Sequence, residues 1–487
     1  MVSGKKRKLY HGMAALSLAL AFCLPVASCQ AAAAETTSAN GLLAHYDADR
    51  AMGFSARIRL DNALDALVNE PGPLQAPGLG VIVYKDGREI YSHFVGSSHI
   101  DGADPRANVP MTRNTRLRMA SLAKQFTAFT LMQLVEQGKV RLDDDAGKYL
   151  GFPLRNPAYP DTPITLEMLA SHTSSLRNGG DSYYAPPDVN LREFFDPQGR
   201  KWDGGAHFAP RGEAPGEFFC YCELNYGVLG TILESVTGER FDRYEKKHIL
   251  KQLSTMADFV PGNLSREAFA QLGTIYRRLD DNGQFDDTAP WKATCDDYQG
   301  RRPKRDSVCL DSEWYSLKGY VPGTNATAFS PQGGLRLTFE ELTHVLEMLM
   351  DGGVYRGRQI LRPESAAEIL RPHWVYDPAK KNGDTYDGAL LAYGLAEYQI
   401  YGDSGARVCR DFDVDLVGHT GEAYGLLSGV FFRPGTKDGF VYALNGLGVE
   451  LDKDPRCFGQ FSGNYIWEEK IMEPICQALW GKEFQDK

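Results

Sequence analysis

Between Lys124 and Glu136 the chain carries no charged residue. Leu122, Phe126, Phe129, Met132, Leu134 and Val135 recur there at helical spacing, and Gly138 follows as a C-terminal cap. A helix that is uncharged nearly all round offers no face to water, so it has to lie inside the protein with other elements packed against it. The fold must therefore enclose this helix, and the lysine that opens it is carried in with it. Lys124 stands three residues after Ser121, and residues three apart share a helix face.

The rest of the chain shows what can do the enclosing. Apolar runs across Leu79–Val95, split by Lys85-Asp86-Gly87, predict a hairpin. Helical spacing returns at Leu224–Val236, ending at Gly238, and at Phe339–Met350, ending at Gly352-Gly353. Strand patterns follow at Leu391–Ile400, Leu426–Phe432 and Phe440–Leu444, and a last helix at Tyr465–Leu479. Strands at both ends with helices between predict an α+β fold: an antiparallel sheet built from both chain ends, flanked by helices, with a mainly helical lobe inserted. Residues 177–216 and 283–324 are rich in turn formers and charges and read as loop insertions, of the kind that often forms the rim of a site.

The first 34 residues stand apart. Lys5, Lys6, Arg7 and Lys8 precede an apolar run over Met13–Val26 and then small residues, the order of an export signal. The run is shorter than the ~20 residues that span a bilayer. Two processing routes fit: cleavage after Ala32-Ala33-Ala34, or lipid attachment at Cys29 after Val26-Ala27-Ser28. An exported, periplasmic or lipid-anchored domain over residues 35–487 is expected. Loss of the four basic residues moves the formal net charge from −10 to about −14, which argues against nucleic acid as a partner. Seven cysteines remain, and Cys295–Cys309 and Cys409–Cys457 are plausible pairs in an oxidising compartment. No CxxC pair or histidine spacing suggests a metal, and no cofactor is expected.

Ser121 and Lys124 carry the chemistry. A serine hydroxyl is a weak nucleophile until a base takes its proton. A buried lysine can serve, because desolvation disfavours its ammonium. A helix start also offers free amides to a developing oxyanion. The Ser-x-x-Lys spacing alone is a weak signal, since Ser3 and Lys6 repeat it in the export segment. Its place at the head of an uncharged helix gives it weight.

The segment Arg118-Met119-Ala120-Ser121-Leu122-Ala123-Lys124-Gln125-Phe126-Thr127 resembles the nucleophile segment of the serine β-lactamase and penicillin-binding family, in its class C branch. The resemblance runs on through Leu134–Leu150, through Ile164 to Leu176, with Ser175 where the family usually has glycine, and through Pro215-Gly216, Asn225–Gly238, Gly333-Gly334-Leu335 and Gly418–Gly429. It implies a covalent acyl-enzyme on Ser121. The family's tyrosine motif falls on Tyr221-Cys222-Glu223. Its tyrosine is expected to take the serine proton and return it to the leaving group, with a pKa depressed by the lysine ammonium. The third motif falls on His419-Thr420-Gly421, beside the nucleophile. It implies an oxyanion hole from the N–H groups of Ser121 and Glu422, close substrate approach at Gly421, and a proton-network or carboxylate-binding role for His419. Thr420 belongs to the same substrate-binding strand. His172 reads as structural.

Glu223 departs from the family, which usually has asparagine there. It is expected to pair with Lys124, to recognise a substrate amine, or to mark lost activity. A disulfide from Cys220 or Cys222 would pin this loop. His419 in place of lysine brings the resemblance nearer the D-alanyl-D-alanine carboxypeptidases and esterases than the true β-lactamases. The expected partner is thus a small-molecule or peptide substrate, such as a peptidoglycan stem peptide. A β-lactamase, or a catalytically silent binder of cell-wall fragments, is the alternative.

Overall fold

Leu79, Val81 and Val83 alternate with Gly80, Ile82 and Tyr84, and all six are buried. Neighbouring side chains leave opposite faces of a strand, so a strand buried throughout needs a layer on each side. Both layers are present in the computed structural model, which describes residues 52–180 and 182–481. The export segment, Cys29 and the small-residue run lie outside the described residues.

The main sheet has nine strands. Three come early: β1 (Gly78–Lys85), β2 (Arg88–His99) and β3 (Val109–Pro110). Six come late: β4 (Trp374–Val375), β5 (Ala392–Tyr393), β6 (Tyr398–Ile400), β7 (Leu416–Ala423), β8 (Leu426–Phe432) and β9 (Gly439–Leu444). The spatial order is β4-β5-β6-β7-β8-β9-β1-β2-β3, antiparallel throughout. The chain ends meet where β1 pairs with β9, Leu79 opposite Leu444. The expected hairpin turns at Asp86-Gly87, both at positive φ (50° and 74°), as a tight turn between right-twisted strands requires.

One face of the sheet packs on α1 (Phe54–Asn69) and on α5 (Ile466–Trp480), where Leu64, Trp467 and Ile471 join Leu79, Val81, Phe440 and Tyr442 in one core. The other face packs on the helical lobe, with Ile82, Val441 and Ala443 against Leu342, Val345 and Leu346 of α4 (Phe339–Met350). Thr338 and Glu341 close a reciprocal capping box at the start of α4. The lobe's centre is α2 (Ala123–Glu136), whose residues from Ala123 to Met132 are all buried. Beside it lies α3 (Glu223–Thr237), ended by Gly238 at φ 68°.

Three expectations need correction. The apolar stretch Leu391–Ile400 is two short strands, β5 and β6, because the chain turns back between them with Ala396 at φ 64°. Ser121 does not open the α-helix itself; it sits in a 3₁₀ turn, Ala120–Leu122, that leads into α2. All seven described cysteines are free, Cys295, Cys309, Cys409 and Cys457 among them, so neither expected pair is bridged. The unusual Ser175 has a clear cost and compensation. Its φ of 64° suits glycine, but its hydroxyl donates to the Glu213 carbonyl at 2.8 Å and accepts from Asn156 Nδ2 at 2.6 Å.

The lobe also holds a buried acid without a counter-charge. Glu245 is fully buried, neither carboxyl oxygen has a hydrogen-bond partner, and burial pushes its pKa up to about 8. The folded state therefore keeps a proton that the unfolded chain gives up near its ordinary value. This contribution is complete below the unfolded pKa and is lost as pH rises through about 8. Glu245→Gln should leave the melting temperature near that of the parent at pH 4 and raise it by several degrees at pH 9. Calorimetry at the two pH values measures it, and equal shifts at both would refute the ionisation argument.

Candidate active site

The site forms where the 3₁₀ turn, α3 and β7 converge. The strand Arg116–Arg118 pairs with Arg336–Thr338, and the Met119 N–H donates to the Leu335 carbonyl at 3.0 Å, so the chain arrives at Ser121 already anchored. Ala120 is held at φ 48°, a left-handed conformation that an alanine adopts only when its surroundings enforce it. Gly421 lies directly against this turn. A Cβ there would overlap the Met119 carbonyl oxygen, lie 2.6 Å from Ser428 Oγ and 3.2 Å from the Ser121 nitrogen. The close approach explains the glycine.

Lys124 is fully buried. Its Nζ lies 2.9 Å from Ser121 Oγ, 2.6 Å from Glu223 Oε2 and 3.2 Å from the Gln332 carbonyl oxygen. Its ammonium also faces the rings of Tyr221 and Tyr226, at 4.7 and 5.5 Å from their centroids. Burial pulls the Lys124 pKa below the usual lysine value, and the Glu223 carboxylate opposes that pull. Of the alternatives for Glu223, the geometry realises the pair with Lys124. Glu223 also lines the cleft.

Tyr221 does not have the depressed pKa that the family resemblance implies. Burial, followed by the Glu223 charge, holds its phenol well above the usual tyrosine value. The carboxylate that neutralises Lys124 removes the field that would have favoured a phenolate. Tyr221 is thus a neutral hydroxyl, 3.5 Å from His419 Nε2. Tyr393, which the sequence did not single out, brings its hydroxyl to 2.9 Å from the same nitrogen. His419 Nδ1 faces the Thr420 carbonyl, so Nδ1 carries the proton and Nε2 accepts from the two tyrosines. Burial, followed by the Lys124 charge, drops the His419 pKa to about 3. A neutral, 2 % exposed imidazole is suited to a proton network and not to binding a substrate carboxylate.

The end of β7 is open on one side. Val417 to Ala423 pair with β8, whereas pairing to β6 stops at Gly418. Glu422, proposed to supply an oxyanion N–H, falls on that open edge, and its side chain lines the cleft. Thr420 accepts a hydrogen bond from the Tyr398 hydroxyl at 3.3 Å. His172 supports the site from beneath. It is buried, its Nδ1 accepts from the Cys222 N–H at 3.0 Å, and its ring lies 4.2 Å from that of Tyr221. Asn178, in the first loop insertion, caps α3 through space: its Oδ1 accepts from the Glu223 and Leu224 N–H groups at 2.7 and 3.3 Å. An asparagine in a glycine-rich loop was a visible cue, but nothing local connected it to a helix about 45 residues later. No group of histidines, cysteines and acids among the described residues could hold a metal ion.

Ser121, Glu223, Glu422 and Asn178 line a cleft of about 600 Å³, a size suited to a small substrate or a peptide end. Glu223→Gln removes the charge that supports the Lys124 ammonium. If Lys124 is the base, the acid limb of the kcat/KM–pH profile should move down by at least one pH unit. An unmoved limb would separate Glu223 from the ionisation of Lys124.

Comparison with known proteins bears on the family and the fold. A family model described as Beta-lactamase matches residues 62–456. Protein flp of Staphylococcus aureus strain N315 is 27 % identical over 177 residues, covering 36 % of this chain and 33 % of that protein. The D-alanyl-D-alanine-carboxypeptidase/endopeptidase AmpH of Escherichia coli K12 is 28 % identical over 180 residues, covering 37 % of this chain and 44 % of that protein. The chain thus spans less than half the length of these curated relatives. A beta-lactamase/D-alanine carboxypeptidase structure from Yersinia pestis superposes with a TM-score of 0.55 at 16 % identity, covering 86 % of this chain and 99 % of that one. At that identity the likeness is one of fold.

Proposed function

The chain belongs to the β-lactamase family, whose members are serine hydrolases, and from that premise we propose that it hydrolyses a peptide, amide or ester through an acyl-enzyme on Ser121. The observation that carries the proposal is the fully buried Lys124, whose Nζ lies 2.9 Å from the Oγ of the cleft-lining Ser121. Ser121 Oγ attacks the substrate carbonyl carbon as its proton passes to Lys124, which lies within hydrogen-bond reach of it and whose pKa burial pulls below the usual lysine value. The tetrahedral oxyanion is held by the N–H groups of Ser121 and Glu422. On collapse the scissile bond breaks, and the Lys124 proton passes to the leaving group by way of the Tyr221 hydroxyl. Water then attacks the ester and restores Ser121.

The substrate proposed is a carboxypeptidase-like or esterase-like one, such as a D-alanyl-D-alanine stem peptide. His419 in place of lysine disfavours an efficient β-lactamase. The acidic, exported protein acts in the periplasm, free or tethered by lipid at Cys29. The Lys124–Glu223 pair is the one observation that favours the alternative of a silent binder, since a fully charged lysine would not accept the serine proton.

Intact-mass spectrometry of the mature protein with benzylpenicillin, with Ser121→Ala as control, tests the proposal. A lasting adduct on the parent alone is expected, and the mass of the mature chain also distinguishes lipidation at Cys29 from cleavage after Ala34. Absence of an adduct, together with no turnover of simple acyl esters, would leave the silent binder.

A further inference from the structure

Two arginines line the catalytic cleft, and they differ in what they have left to offer. The Arg118 guanidinium donates to the Gly333 carbonyl at 2.9 Å and to Ser330 Oγ at 3.2 Å, and it lies 4.8 Å from the centre of the Tyr424 ring. Its donors hold the cleft wall together. Arg277 has no hydrogen bond and no ion pair to any described residue. Its Nε is buried without a partner, whereas its two Nη atoms are neither bonded nor closed off. Lys124, the cation beside the nucleophile, is committed to Glu223.

Arg277 is nonetheless held in place. It lies on a strand, Ile275–Arg278, that pairs with Trp291–Cys295 on one side and Gly446–Leu447 on the other. Thr294 Oγ1 lies 3.0 and 2.6 Å from the Ile275 and Tyr424 carbonyl oxygens, tying this strand to the turn between β7 and β8. Arg277 Cγ packs on the same turn, 3.0 Å from where a Cβ on Gly425 would stand. Its guanidinium lies 5.4 Å from the centre of the Phe285 ring, which belongs to the second loop insertion. Glu422, on the same cleft, acts on Arg277 through space without forming an ion pair with it. A half-buried guanidinium, fixed by its stem and free at both Nη atoms, suits a carboxylate, which accepts from two parallel N–H groups at once.

The order along β7 sets which part of a substrate this group meets. Tyr221, by way of which the leaving group takes its proton, stands 3.5 Å from His419. Glu422, the proposed oxyanion donor, comes three residues later. Arg277 packs beyond it, on Gly425. A substrate lying along the open edge of β7 therefore has its leaving group toward His419 and its acyl portion toward Arg277.

We propose that Arg277 is a specificity-determining residue that binds a carboxylate on the acyl portion of the substrate. The proposal rests on Ser121 acyl chemistry, and its test separates the two. With p-nitrophenyl esters, kcat/KM for the half-ester of adipic acid should exceed that for its carboxamide analogue, p-nitrophenyl adipamate, about tenfold or more. Arg277→Gln should bring this ratio to about one, and Arg277→Glu should invert the order in favour of p-nitrophenyl 6-aminohexanoate. Each ratio is read within one protein, so a change in the folded fraction does not enter it. A parent ratio near one, or a ratio unmoved by Arg277→Gln, would overturn the proposal. So would a carboxylate preference confined to the leaving group, measured with 4-carboxyphenyl against 4-carbamoylphenyl hexanoate. If no ester is hydrolysed at all, saturation-transfer NMR of adipic acid monoamide decides it. Binding to the parent and not to Arg277→Gln upholds the carboxylate site and sinks the chemistry, and no binding sinks both.

Discussion

Replacing Lys124 with methionine should lower kcat/KM about 10³-fold on any ester or amide the protein turns over, or about 4 kcal/mol of transition-state stabilisation. Methionine is close to lysine in length and apolar, so it fills a slot that is already dry. What it cannot do is accept the Ser121 proton over the 2.9 Å that Lys124 Nζ spans. Neither neighbour replaces it, because Tyr221 is held far above its usual pKa and His419 far below. The substitution also strands Glu223, which loses its 2.6 Å partner. Removing one member of a buried pair typically costs more than removing both. Lys124→Met/Glu223→Gln should therefore recover melting temperature and recover no activity. A single variant that keeps activity within tenfold of the parent would transfer the base role elsewhere.

The second large effect is expected far along the chain. Gly421→Ala should cost about 10²-fold in kcat/KM while Lys124 and Ser121 are both intact. The added carbon would overlap the Met119 carbonyl and crowd Ser428 Oγ at 2.6 Å, so β7 has to retreat from the nucleophile turn. The Ser121 nitrogen and the open strand edge then no longer face one point, and displacements near 1 Å carry costs of this order. Intact-mass kinetics separate this from a loss of nucleophile: acylation should be slow and still reach completion. Complete absence of the adduct would mean that the turn itself had collapsed. Full activity would mean that the close approach at Gly421 has no catalytic consequence.

Much of the scaffold was legible from short stretches. The strand patterns near both chain ends predicted the sheet that they jointly form, and Gly138 and Gly238 marked helix ends that the structure places there. Where short stretches misled, a turn intervened. Leu391–Ile400 has the composition of one strand but reverses at Ala396. The cysteine pairings failed because an oxidising compartment permits a disulfide but does not bring two sulfurs together.

By itself the sequence determined that Lys124 meets Ser121. Three residues on one helical turn place two side chains together whatever surrounds them, and an uncharged helix has to be enclosed by some core. The charge states were another matter. Whether Lys124 faces Glu223, whether Tyr221 ionises, and which nitrogen of His419 is protonated depend on groups that α3, β5 and β7 bring together from 99, 26 and 198 positions apart. The Asn178 cap on α3 is of the same kind. Desolvation and Coulomb interactions act through space and are set by burial and distance. No local pattern of residues encodes those quantities, and only the packed tertiary structure decided them.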